Sequence, residues 1–123
     1  MKRDTTLFIK DILDNIYLIK ESTEKISKED FLNDQLIQDA TVRRIEIIGE
    51  AAKNIPKDIK EKYPNIEWKK ATGTRDIFIH AYFEVDLDIV WNIIKKDLLD
   101  LEKEMIIVLK DLESSSNKDN SNK

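Results

Sequence analysis

A chain of 123 residues, 37% of them charged and with a net charge of −4, is long enough for one hydrophobic core but not two. The absence of cysteine excludes disulfides, thiolate metal sites and thiol nucleophiles, and suits a reducing cytoplasm. The acidic balance argues against a general nucleic-acid binder, no apolar run approaches the roughly 18 residues of a membrane span, and Met1-Lys2-Arg3-Asp4 leads into no signal-peptide core.

With only two glycines and two prolines among abundant Leu, Ile, Lys and Glu, the composition predicts an all-α bundle. Asp4 or Thr5 caps a first helix, in which Phe8, Ile9, Ile12, Leu13, Ile16, Tyr17 and the stem of Lys20 form one apolar stripe. Fraying is expected over Glu21 to Lys25. Ser27-Lys28-Glu29-Asp30 before Phe31-Leu32 resembles a capping box with Asp in place of Glu. Asn33 or Asp34 re-caps a long helix marked by Leu36, Ile37, Ala40, Ile45, Ile48, Ala51, Ala52 and Ile55, which Pro56 stops. Gly49, Ala51 and Ala52 allow another helix to approach closely, and Arg43, Glu46 and Glu50 are spaced for a surface ion-pair ladder.

Lys57 to Tyr63 predicts a short helix ended by Pro64, and a patchier helical pattern follows from Glu67, weakened by Gly73. Phe83-Glu84-Val85 reads as a connection, because Asp86 can cap a helix carrying Leu87, Val90, Trp91, Ile94 and Leu98. A last amphipathic stretch holds Leu101, Met105, Val108, Leu109 and Leu112; Leu98-Leu99-Asp100 contains no breaker, so the pattern leaves open whether these two helices are continuous. Residues 1–113 are expected to form a single helical domain and 114–123, which have no apolar residue, a disordered tail.

Charge is uneven along the chain. Lys53 to Arg75 holds seven basic residues against three acidic, whereas Glu84 to Glu113 holds nine acidic against four basic. The first is either a solvated helix face or a patch that steers phosphate. It leads into Arg75-Asp76-Ile77-Phe78-Ile79-His80-Ala81-Tyr82, which contains the single histidine of the chain.

Histidine exchanges a proton near neutral pH, and arginine forks onto phosphate oxygens while staying charged. Such a pair suffices for RNA cleavage without a metal: the 2′-hydroxyl loses its proton, attacks phosphorus and displaces the 5′-oxygen while the cation stabilises the phosphoryl charge. On a regular helix Arg75 and Tyr82 share a face, but His80 lies roughly 140° round from Arg75. Either the helix ends near His80 and the chain turns, or a second copy completes the site. A base and an acid are both wanted and the chain has one histidine, which also points to a composite site in a twofold dimer. The plainer alternative is that His80, Arg75 and Tyr82 are packing and ion-pairing residues. No metal-ligand spacing, Gly-rich phosphate loop or serine-nucleophile motif is present, so no metal or cofactor is expected.

The pattern Arg75-Asp76, three variable positions, His80, one more and Tyr82 resembles the signature of the HEPN superfamily, in the form with a tyrosine two beyond the histidine. The surrounding chain is similar to its HepT-like branch: Arg43 to Ala52 matches the long-helix segment, Trp68 and Gly73 lead into the motif, and Val85-Asp86-Leu87 to Val90-Trp91 follow it. The likeness covers about residues 4 to 112. Asp76 stands where many relatives carry Asn, and Leu99 where a proline often breaks the last helices.

The resemblance implies an antiparallel HEPN-type bundle that dimerises with the two motifs facing each other. It implies a metal-independent endoribonuclease toxin of a type VII-like toxin–antitoxin system, with Arg75 and His80 catalytic and Asp76 supporting. It also implies an MntA-like minimal nucleotidyltransferase antitoxin, which transfers AMP from ATP to Tyr82. A different class remains open: a non-catalytic helical subunit that binds a nucleotide or serves only as the nucleotidyltransferase's partner.

Overall fold

The computed structural model describes residues 4–72 and 86–121, with side chains to residue 115. All regular structure in these residues is helical: α1 (Thr5–Thr23), α2 (Lys28–Leu32), α3 (Gln35–Asn54), α4 (Lys57–Lys62), α5 (helical over 68–72), α6 (Leu87–Asn92), a π-helical turn (Ile93–Asp97) and α7 (Leu98–Ser121).

The helix starts are written in short polar side chains that satisfy backbone N–H groups with no partner inside the helix. Asp4 accepts from the Thr6 N–H, Asp34 from Ile37, and Asp86 from both Asp88 and Ile89. The capping box at Ser27 is present in full: Ser27 Oγ accepts from the Asp30 N–H at 3.0 Å, and Asp30 accepts from the Ser27 N–H at 3.1 Å. Pro56 ends the α3 run as expected, and α4 stops before Pro64.

α1 lies at the centre. Its Ile9, Ile12, Ile16 and Ile19 are fully buried, and it packs most extensively against α3 and then against α7. α3 presents Ile45, Ile48, Gly49, Ala51 and Ala52 to the core, so its small residues do fall on the packed face. α1 and α7 run antiparallel: Lys20 Nζ donates to Glu102 Oε1 at 3.1 Å, and one turn further along α1 Lys95 Nζ donates to the Thr23 carbonyl at 3.4 Å. Phe31 of α2 is fully buried and meets Trp91 of α6 with ring centroids 5.3 Å apart. Lys95 sits 4.7 Å above the Trp91 ring, a cation–π contact that covers the indole's outer side.

The open question at the last two helices has a definite answer. α6 passes through the π turn into α7 without interruption, and the Leu98 N–H donates to the Ile93 carbonyl five residues back. The wider turn lets residues spaced by four, Val90, Ile94 and Leu98, stay on one buried face before the ordinary spacing of Leu101, Met105 and Val108 takes over. Leu99 lies within the helix, one residue after its α-helical turns resume at Leu98. α7 runs on to Ser121, past the change of composition at Ser114. No helix of the described residues is long and apolar enough to cross a membrane.

Three periodicity expectations differ. Leu36 is 83% exposed, Ala40 is exposed, and Tyr17 is 59% exposed. Ile19 and Thr23, outside the expected α1 stripe, are buried instead, as are Thr41 and Ile93. Thr23 satisfies its hydroxyl by donating to the Ile19 carbonyl at 2.7 Å. Thr41 does not: among the described residues its buried Oγ1 has no hydrogen-bond partner. A buried polar atom without a partner is destabilising, so Thr41→Val is expected to raise the unfolding free energy by about 1 kcal/mol. Urea denaturation of the two proteins would show it as a higher midpoint at unchanged slope.

Candidate active-site region between α5 and α6

Arg75, Asp76, His80 and Tyr82, with the expected connection at Phe83-Glu84-Val85, lie outside the described residues. The structure does define the two points between which that stretch is strung, Thr72 in α5 and Asp86 at the start of α6, and how each is held.

The α5 end is tied to the bundle by three links. Ala71 is buried in the core. The Trp68 indole N–H donates to the Tyr63 carbonyl at 3.0 Å, and the Tyr63 hydroxyl donates to Asp111 Oδ2 of α7 at 2.7 Å. Burial first, and then the Asp111 carboxylate, push the Tyr63 phenol up to about 12. The third link is Lys70, whose ammonium lies 3.1 Å from Asp97 of the π turn and 3.7 Å from Glu67. The hydrogen bond to Asp97 is the main cause that raises the Lys70 pKa.

The α6 end is held by the Asp86 cap, by burial of Val90, and by the 2.8 Å ion pair of Lys28 with Asp88. Asp88 is well exposed, so this pair adds little stability, whereas the Phe31–Trp91 contact behind it is buried on the α2 side. Rigid flanks matter for catalysis because a misplacement of about 1 Å can cost 10²-fold in rate.

Between α5 and the π turn lies a pocket of about 480 Å³ with an apolar floor that includes Ile45, Ile48 and Leu101. Its rim carries Glu67, Lys70, Lys96, Asp97, Asp100 and Glu104. The basic and acidic halves seen in the sequence thus meet here across the Lys70–Asp97 bridge. Glu104 was not singled out by its sequence position. Burial raises its carboxyl pKa, with the charges of Asp100 and Glu67 adding to the shift. Asp100 lies one turn back on the same helix, but the burial and the Glu67 charge arise only once the start of α5 is packed against α7. Among the described residues no group of His, Asp or Glu is arranged to hold a metal ion.

The two described tyrosines differ from an activated nucleophile. Tyr17 is raised by its hydrogen bond to Glu21, and Tyr63 by burial and Asp111, so each phenol is harder to deprotonate than an ordinary one.

A family described as ribonuclease HepT-like matches residues 12–108. A Methanocaldococcus jannaschii protein named "Gamma-glutamylcyclotransferase and putative RNase" is 42% identical over 117 residues, covering 95% of this chain and 53% of that protein. A second protein of that organism, named "Putative RNase", is 42% identical over 107 residues, covering 87% of this chain and 98% of its own length. A Thermococcus cleftensis protein named "Probable ribonuclease HepT" is 46% identical over 102 residues, 83% of this chain and 93% of that protein. The chain therefore spans about half of the first relative and nearly all of the other two. No solved structure matches it significantly.

A carboxyl whose folded pKa is raised favours the folded state when protonated, and that advantage is lost as pH rises through the folded pKa. Glu104 therefore weighs against folding at neutral pH. Glu104→Gln is expected to raise the melting temperature at pH 7, with the gain disappearing as the pH falls to about 3, below the unfolded value, where the parent carboxyl is protonated in both states. Thermal scans of both proteins across that range check it.

Proposed function

The chain belongs to the HepT-like ribonuclease family, and we propose that it is an endoribonuclease that cleaves RNA without a metal, using Arg75 and His80. The observation that carries this reading is that the family match spans residues 12–108, the stretch of the chain in which Arg75, His80 and Tyr82 stand together. Relatives named as ribonucleases, each at least 42% identical, support the same activity.

In this reading His80 takes the proton of a ribose 2′-hydroxyl. The 2′-oxygen attacks the adjacent phosphorus, the bond from phosphorus to the 5′-oxygen breaks, and that oxygen leaves with a proton supplied by a second acid. The products are a 2′,3′-cyclic phosphate and a 5′-hydroxyl. Arg75 stabilises the charge on the phosphoryl oxygens, and Asp76 orients Arg75. The second acid is the other copy of His80 in a symmetric homodimer whose motifs share one cleft; an interface of that kind buries at least about 1,000 Å² in total.

We further propose that the protein is the toxin of a toxin–antitoxin pair in the cytoplasm, silenced by an MntA-like nucleotidyltransferase. The Tyr82 phenol oxygen attacks the α-phosphorus of ATP, pyrophosphate departs, and the phenolic proton is lost to solvent. The added AMP places bulk and negative charge next to Arg75 and blocks RNA. Asp76 as the neighbour of Arg75 keeps the second reading, a non-catalytic partner of the nucleotidyltransferase, in contention, because a carboxylate there lessens the pull on phosphate.

Substitution separates the two. His80→Ala is expected to slow cleavage of a labelled RNA by about 10² to 10⁴-fold and Arg75→Ala by about 10² to 10³-fold, with circular dichroism unchanged and EDTA without effect. Cleavage that survives His80→Ala, or that stops on chelation, rules out this mechanism. With ATP and the cognate nucleotidyltransferase, mass spectrometry should show AMP added to the parent but not to Tyr82→Phe, which retains most of its cleavage. Continued modification of the Phe variant would move the acceptor to Tyr17 or Tyr63.

A further inference from the structure

Outside the bundle, on the face made by the α4–α5 connection, Lys60, Pro64, Trp68, Lys69 and Lys70 line an open groove of about 1000 Å³, with Glu67 as its one acidic residue among the described ones. We propose that this groove binds single-stranded RNA beside Thr72, the residue that precedes the 73–85 stretch in the chain. The proposal rests on the ribonuclease reading and adds to it the path of the substrate.

Three features favour this occupant. The first is uncompensated charge. Lys57 and Lys70 sit near carboxylates, at 3.9 Å from Glu61 and 3.1 Å from Asp97, whereas among the described residues neither Lys60 nor Lys69 forms an ion pair. Two such ammonium groups flanking a groove suit a polyanion, in a protein whose net charge of −4 repels one elsewhere.

The second is a flat surface in the same groove. Trp68 is half-buried, packed on the core along one side and fixed by its N–H bond to the Tyr63 carbonyl, so the rest of its ring is presented to the groove in one orientation. A positive groove with a pinned aromatic ring is the arrangement on which unpaired bases stack while lysines follow the backbone. The third is shape: the groove is open rather than enclosed and lies at the upper end of ordinary small-molecule pockets, which fits a polymer passing through. Among the described residues its lining ends at Thr72, which directly precedes the 73–85 stretch in the chain.

The test uses the full chain and a 2′-O-methyl single-stranded oligonucleotide, which cannot supply the attacking hydroxyl and stays intact. In a Trp91→Phe background the remaining indole is Trp68, and its fluorescence should be quenched on titration. Lys60→Gln with Lys69→Gln should weaken binding about tenfold at about 0.15 M salt and lower the slope of log K against log salt by about 1.4, since each phosphate contact on a single strand contributes about 0.7. Trp68→Leu should weaken it at least about fivefold, and Trp68→Tyr, which keeps a stacking ring, should restore most of the loss.

Unquenched Trp68, an unchanged salt slope in the double variant, or equal competition by duplex RNA would each overturn the groove. Cleavage of ordinary RNA is scored separately. A parent that cleaves while the double variant keeps its salt slope fails the groove alone. A parent that quenches Trp68 and loses the slope on substitution, yet cleaves nothing, fails the ribonuclease reading and leaves the groove standing.

Discussion

The structure depends on the burial of one stripe of four isoleucines. Ile9, Ile12, Ile16 and Ile19 have no exposed surface, and the helix that carries them is packed by α3 on one side and α7 on another. Fully burying one such side chain is worth about 1.5 to 3 kcal/mol, so this stripe outweighs the solvated ion pairs of the surface by a wide margin. With α1 fixed, the positions of α3 and α7 follow. They in turn locate the shorter elements α4, α5 and α6, none of which buries enough apolar area to be placed by itself.

The shorter helices are accordingly held by specific links. Trp68 to Tyr63 to Asp111 ties α5 to the far end of α7, and Lys70 to Asp97 ties it to the π turn. Phe31 against Trp91 ties α6 to α2. The common outcome is that both ends of the arginine–histidine stretch are anchored to the same continuous helical unit, α6 through α7, along with the core of α3. A break near Leu99 would have allowed the two anchors to move independently. The π turn instead keeps one helix and shifts its register by a residue, so that Asp97 comes within reach of Lys70 while Ile93 and Ile94 both remain buried.

Charge is organised by the same packing. The sequence is acidic overall, but its basic half wraps one face of the α4–α5 region and its acidic half lies mainly along α7. Where the halves touch, carboxylates crowd: Glu104 is partly buried near Asp100 and Glu67, and its pKa rises accordingly. Where they do not, Lys60 and Lys69 form no ion pair among the described residues. The net charge of the chain thus says less about its partners than the distribution of that charge over two faces.

Much of the fold was legible before any coordinates. The Asp4, Ser27, Asp34 and Asp86 caps, the prolines that end α3 and α4, and the helical class all act through nearest neighbours in the chain, so residue type and spacing alone determine them. The candidate motif residues Arg75, His80 and Tyr82 rest on the chemistry and order of the chain itself, and they lie outside the described residues. Which apolar residues are buried was only partly so. Leu36 and Tyr17 satisfy the helical period yet face solvent, while Thr41 and Thr23 enter the core, because a period defines a face and only a neighbouring helix decides how wide that face is and where it ends. The continuity of α6 and α7, the π turn, the Lys70–Asp97 bridge and the crowding at Glu104 join residues far apart in sequence or depend on a register that several packed helices set together. Those were decided by tertiary structure alone.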